Sequence, residues 1–118
     1  MTEEGPRLPN AERALIPERK IRGYLLNLQH KDGHAKAVRF RALAFAPEEW
    51  REFERALREQ HLTQPASPAG ENAFGVKYAI TAQLKGPAGD VATIRSIWII
   101  RNDENFGTLI TAYPVRNE

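Results

Sequence analysis

The sequence predicts an α+β fold: two to three N-terminal helices packed on one face of a small C-terminal antiparallel sheet, a meander of three to four strands. Three observations carry that expectation. Apolar residues recur at helical spacing over residues 17–62. Between residues 73 and 115 the period drops to two, as in half-buried strands. Gly86-Pro87-Ala88-Gly89-Asp90 and the polar run from Asn102 to Gly107 read as reversals between the strands.

The 118 residues suit one domain, 1–118, with a single core. A composition of 42% apolar and 27% charged residues is that of a soluble globular protein. No window approaches the roughly 18 unbroken apolar residues of a membrane span. The opening MTEEGPRLPN has no apolar core and is not a secretory signal. The absence of cysteine excludes disulfides, thiolate metal sites and cysteine nucleophiles. A cytoplasmic protein is the natural expectation, or a toxin domain acting in a target cytoplasm.

Residues 1–16 form an arm that is expected to pack on the body, turning at Leu8-Pro9-Asn10-Ala11 and anchored by Ala14, Leu15 and Ile16. Pro17 suits the first position of a helix. Ile21, Tyr24, Leu25 and Leu28 follow as its buried face, and the helix runs out by Asn27–Gln29. His30-Lys31-Asp32-Gly33 is a turn by composition. A second helix spans about His34 to Ala44, with an apolar arc of Ala37, Phe40, Leu43 and Ala44. Lys36 projects on that arc, between Phe40 and Leu43. Pro47 opens a third helix with Glu48 and Glu49 at its positive end, a stripe of Trp50, Phe53 and Leu57, and an end near His61.

Residues 63–72 (TQPASPAGEN) lack any apolar period and read as a connecting loop. In the sheet half, Val76, Tyr78, Ile80, Ala82 and Leu84 alternate with more polar residues. VATIRSIWIIR, residues 91–101, is apolar on both faces over Ile97–Ile100 and should be central. TLITAY, residues 108–113, is the last strand, stopped by Pro114.

Charge is unevenly spread. Arg19–Arg41 holds seven Lys or Arg, His30, His34 and one acid, a net of +6 against +2 for the whole chain. Such a concentration points to an anionic partner. His34 and Lys36 fall in the first turn of the second helix, where a cation opposes the dipole and a bound phosphate would reverse that cost. An inward lysine lines a cleft or else snorkels its ammonium to water along Phe40. Arg95 interrupts an apolar strand, so it either pairs with Asp90 or Glu104 or points into a site. Thr111 and Tyr113 share one face of the last strand, placing two hydroxyls within reach of a phosphate; taken alone, ordinary strand propensity is the better explanation of both. His30 and His34 have the spacing of a helical metal pair, but Asp32-Gly33 breaks that helix and no ligand set is completed. No metal and no cofactor is expected.

The run LPNAERALIPERKIRGYLLN, the loop His30…Gly33…Lys36 with Phe40 and Phe45, Trp50 with Phe53, Tyr78, RSIWII and the closing LITAYP resemble an uncharacterised bacterial domain family that opens with Leu-Pro-Asn-Ala and closes with Thr-Ala-Tyr-Pro. That family is in turn similar to the barnase–EndoU–colicin–RelE group of small ribonucleases, whose members serve as toxins. The chain departs from the family's pattern at Ala46, where a hydroxyl or acid cap is usual, and at Ala44, where glycine is more common.

The resemblance implies metal-independent endoribonuclease chemistry, in which a ribose 2′-hydroxyl attacks the neighbouring phosphate and leaves a cyclic phosphate. On this reading His30 (or His34) supplies acid–base function, Lys36 and Arg95 stabilise the phosphorane, and Thr111 and Tyr113 orient the phosphate. His34, Lys31, Arg39 and Lys77 would bind the RNA. The partners implied are RNA and a cognate antitoxin or immunity protein, with no membrane. The rival reading is a non-catalytic RNA- or protein-binding module that uses the same basic surface.

Overall fold

A computed structural model of the protein describes residues 6–115. The start of the arm, residues 1–5, lies outside them. Three helical segments precede a four-stranded antiparallel sheet of order β1-β2-β3-β4, the α+β meander that the change of period implies. Its strands are β1 (Ser67–Asn72), β2 (Gly75–Lys85), β3 (Val91–Arg101) and β4 (Gly107–Pro114). No helix among the described residues is long and apolar enough to cross a membrane.

The arm packs as expected, but in extended form along β4. Leu15 donates its N–H to the Gly107 carbonyl and accepts from the Leu109 N–H, each at 2.9 Å. An extended chain alternates its side chains, so Ala14 and Ile16 are buried while Leu15 is turned outward, 49% exposed. Leu15 is therefore not an anchor. Leu8 is, and a bridge between Arg7 and Pro65 holds the arm beside the chain entering β1.

The first helix is shorter and more loosely wound than its sequence indicates. After one α-helical turn, α1 (Glu18–Lys20), it continues as a π-helical turn over Ile21–Leu25. The Leu26 N–H reaches back five residues to the Ile21 carbonyl, at 2.8 Å. That extra residue rotates the buried face. Ile21, Leu25 and Leu26 are fully buried, whereas Leu28, expected on that face, is largely exposed.

Helix α2 (His34–Ala42) buries Ala37 and Phe40, and Leu43 closes the arc. Ala44 lies outside it, exposed, because the helix has already ended. Its N–H bonds to the Arg41 carbonyl at 2.9 Å and the Phe45 N–H to the Phe40 carbonyl at 3.3 Å, the paired bonds of a Schellman cap. Such a cap needs a left-handed residue, and Ala44 supplies it at φ 75°. A left-handed alanine costs about 1 kcal/mol relative to glycine. Ala44→Gly should therefore raise the unfolding free energy by about 1 kcal/mol, read as a shift in the urea midpoint at constant slope. An unchanged or lowered midpoint would contradict the argument.

Helix α3 (Trp50–Gln60), entered through a tight turn at Pro47–Glu49, lays Phe53, Ala56 and Leu57 on the core, with Trp50 half-buried at its start. Phe53 meets Phe40 and Phe45 edge to face, with ring centroids 5.1 and 4.9 Å apart, contacts worth about 0.5–1.5 kcal/mol each beyond their burial. Ile80, Leu84, Ile94, Trp98 and Leu109 form the sheet's side of this core.

Strand β1 corrects the reading of residues 63–72 as a loop throughout. It pairs with β2 through Ser67↔Ala79 and Asn72↔Gly75, interrupted between Pro68 and Glu71. All six residues are exposed, so the strand packs no side chains inward and carries no apolar period. Pro68 and the irregularity also make it a poor template for a further strand.

Candidate functional site

Strand parity separates the candidates on the sheet. Ser96 faces Ala112 and Ile94 faces Pro114, whereas Arg95 faces Tyr113 and Ile97 faces Thr111. Beyond Thr111 the register shifts, Trp98 facing Leu109. Arg95, Tyr113 and Thr111 thus belong to the side of the sheet turned away from Trp98. Arg95 is exposed and pairs with neither Asp90 nor Glu104; its Nε donates to Thr81 Oγ1 at 3.0 Å. Lys77, half-buried, faces Ile99 across β2 and β3, and β3 separates its strand from β4. Neither cation lines the clefts described next, although Arg95 stands across from Tyr113.

Along β4 the π-helical turn and the loop that follows it build a cleft of about 650 Å³, lined by Arg19, Lys20, Tyr24, His30, Ile110 and Thr111 among others. Tyr24 is its centre. Its hydroxyl lies 3.3 Å from Thr111 Oγ1, a contact between residues 87 apart in the chain. The Lys20 and Lys36 ammonium groups stand 5.4 and 5.5 Å from its ring centroid. The His30 ring meets it edge-on at 4.9 Å. Desolvation pushes the Tyr24 phenol up, but Thr111, Lys36 and Lys20 together outweigh it and hold the phenol below its ordinary range.

His30 and Gly33 place this ring. The His30 Nδ1 accepts the N–H groups of Asp32 and Gly33 at 3.0 and 2.9 Å, closing the turn that starts α2. Its neutral proton is therefore on Nε2, which makes the ring a donor. A base acting through His30 would have to surrender both turn bonds. Gly33 is needed where α2 passes Tyr24: a Cβ there would lie 2.8 Å from both Tyr24 Cδ1 and the Tyr24 carbonyl.

Lys36 is half-buried against Tyr24, at the edge of the helical arc on which the sequence places it. His34 is not inward. It is exposed, with Nδ1 2.7 Å from the Leu28 carbonyl, and serves the turn rather than the cleft. Lys31 is exposed on the same turn. Arg39 and Tyr113 line an adjoining cleft that also includes Lys36. Among the described residues no three His, Asp or Glu side chains converge as a metal site.

Sequence reasoning missed Tyr24 and Lys20 as site residues. Tyr24 passes for one more member of an apolar helix face, and Lys20 for part of a solvated one. Their spacing of four placed them together on one side of a helix, but only the pairing with Thr111 and Lys36 makes that a site.

Another depression, between α3 and the β2–β3 turn, includes Glu52, Arg55, Glu59 and Lys85, charges of both signs with no histidine or aromatic hydroxyl. It offers no comparable chemistry.

No curated protein and no solved structure matches the chain. A family model does, over residues 7–116, from the arm to the end of β4 and just beyond. The match takes in every element that builds the Tyr24 cleft, and on it the chain belongs to the family described as Domain of unknown function (DUF6883).

Proposed function

We propose that the protein is a metal-independent endoribonuclease of the toxin type, working at the Tyr24 cleft. The observation that carries this reading is the gathering of Lys20, Lys36 and His30 around the ring of Tyr24, whose hydroxyl meets Thr111. Two cations and two neutral donors suit a phosphate that gains charge as it becomes a phosphorane. A phenol held below its ordinary range suits proton transfer.

The step runs as follows. The ribose 2′-oxygen forms a bond to phosphorus as its proton passes to the Tyr24 phenolate. The phosphorus–5′-oxygen bond breaks, and Lys36 returns a proton to the leaving oxygen. Thr111 and the His30 Nε2–H donate to the non-bridging oxygens. The products are a 2′,3′-cyclic phosphate and a 5′-hydroxyl. Tyr24 takes the base role that the sequence assigns to His30, because the His30 Nδ1 lone pair is committed to its turn.

The test is incubation of the purified protein with RNA, with and without EDTA, beside Lys36→Ala. Cleavage that persists in EDTA, yields cyclic-phosphate ends and falls at least about 100-fold in Lys36→Ala is the expected result. RNA bound but never cut would overturn the enzyme reading in favour of a non-catalytic binding module. Neither binding nor cutting at high protein concentration would remove both. Growth arrest on expression, relieved by Lys36→Ala, would support a toxin that is restrained by an antitoxin or immunity protein.

A further inference from the structure

The adjoining cleft along β4 is also about 650 Å³, but its lining differs in kind. It is lined by Ala35, Val38, Tyr113 and Pro114 together with Lys36 and Arg39. Val38 is 44% exposed, a large apolar side chain left open on a helix otherwise rich in charge. Tyr113 is half-buried and lines the cleft. Apolar and aromatic surface of this sort does not suit a phosphate. It suits the face of a flat, weakly polar ring.

We propose that this cleft takes an unpaired nucleobase of single-stranded RNA, stacked on Tyr113, next to the phosphate held at Tyr24. The inference rests on the ribonuclease reading of the first cleft and supplies its substrate class. Three features support it. Lys36 connects the two clefts, lining the second while its ammonium stands 5.5 Å from the ring of Tyr24, which lines the first. Thr111 and Tyr113 are two residues apart on one strand, about 7 Å, a span that one extended nucleotide bridges. An aromatic platform flanked by cations is the arrangement by which proteins hold single strands. An apolar peptide in the same place would leave Lys36 and Arg39 beside it without anionic partners, which disfavours that occupant. A paired base cannot present its face, so a duplex is excluded from the cleft by its own stacking.

Tyr113 is accordingly a binding platform, not the phosphate-orienting hydroxyl that its pairing with Thr111 on one strand face implies. Affinity for a fluorescent 2′-O-methyl RNA, which cannot be cut, provides the test. It is measured as a single strand, as the matching duplex, and as a single strand with one abasic position scanned along it. The single strand should bind the wild type more tightly than the duplex does, and one abasic position should weaken it. Tyr113→Ala should lose about 10-fold or more in single-strand affinity, while Tyr113→Phe and Tyr113→Trp, which keep the stacking face, lose little.

Equal affinity for single strand and duplex would overturn the proposal, as would an unchanged Tyr113→Ala, a Tyr113→Phe as weak as Tyr113→Ala, or no RNA binding at all. The ribonuclease reading fails separately. Tyr113-dependent binding without cleavage of ordinary RNA would sink the enzyme and leave the stacking site. Cleavage indifferent to Tyr113→Ala would do the reverse.

Discussion

Replacing Tyr24 with phenylalanine is expected to slow RNA cleavage by about two to four orders of magnitude, the usual worth of a positioned acid or base, with little loss of stability. The ring's packing against His30 and Lys36 is kept, and only the hydroxyl goes. Its hydrogen bond to Thr111 is long, 3.3 Å, and part-buried. Its removal should cost about 1 kcal/mol or less, a few degrees in melting temperature. A large loss of rate beside so small a loss of stability would separate chemistry from structure.

The pH profile sharpens the test. Tyr24 works as a base only when deprotonated, so the wild-type rate should rise with pH on the approach to the phenol's pKa, which lies below the ordinary tyrosine value of 10.0, for as long as Lys36 keeps the proton it gives the leaving oxygen. Tyr24→Phe should lose that rise. Lys36→Ala removes a group that favours the phenolate, so it should move the rise to higher pH as well as lower the rate. Wild-type activity in Tyr24→Phe would end the assignment. An unmoved rise in Lys36→Ala would detach Lys36 from Tyr24 and leave it a substrate contact.

The sequence carried most of the order of elements and named some residues of the candidate site, and the misses have specific causes. Helix positions follow from 3.6-residue spacing, and Lys36 falls on the arc because nine residues of α2 are regular. The same spacing misplaces Leu28, since the helix leaves α geometry at a π-helical turn that no local propensity announces and has ended before Leu28. Parity put Thr111 and Tyr113 on one face, yet could not say which face met the helices. Arg95 shares their face and stands across from Tyr113, but on the inner strand it is exposed and turns its Nε to Thr81 on β2 rather than into the Tyr24 cleft. Strand β1 was invisible because an edge strand without buried side chains has the composition of a loop. Tyr24 became central only through contacts to Thr111 and Lys36, 87 and 12 positions away. Ala44 shows the opposite case. The resemblance gives glycine as the commoner residue there, and the left-handed backbone of Ala44, at φ 75°, supplies the reason.

His61 marks the end of α3 in the sequence, and it bears a different prediction: acidifying the solution from pH 7 to pH 5 should cost the fold about 2 kcal/mol through this one side chain. His61 is fully buried beneath the sheet, where Nδ1 lies 2.8 Å from Ser96 Oγ and Trp98 Nε1 donates to that same oxygen at 2.9 Å. Its Nε2 has no hydrogen bond of good geometry. Burial penalises the imidazolium and lowers the pKa from 6.5 to about 4, the Ala82 carbonyl offsetting only part of that cost. The unfolded chain binds a proton as the pH falls through 6.5, and the folded chain binds none until about 4. Acid therefore favours unfolding across that interval. The stability is fully present above the unfolded pKa, declines between the two values, and by pH 4 has fallen by up to about 3 kcal/mol.

Urea unfolding at pH 7, 6 and 5 would measure the slope, with His61→Leu as the control. The leucine variant forfeits the bond to Ser96 and should be weaker at pH 7, but its stability should be nearly flat across the interval, because it has no proton to bind. Parallel slopes in the two proteins would show that other groups carry the acid sensitivity and that the Ser96 contact tolerates an imidazolium. Because His61 lies in the core and not in the Tyr24 cleft, RNA cleavage per folded molecule should not follow this titration. A rate that tracked the His61 interval would mean that the core and the cleft open together.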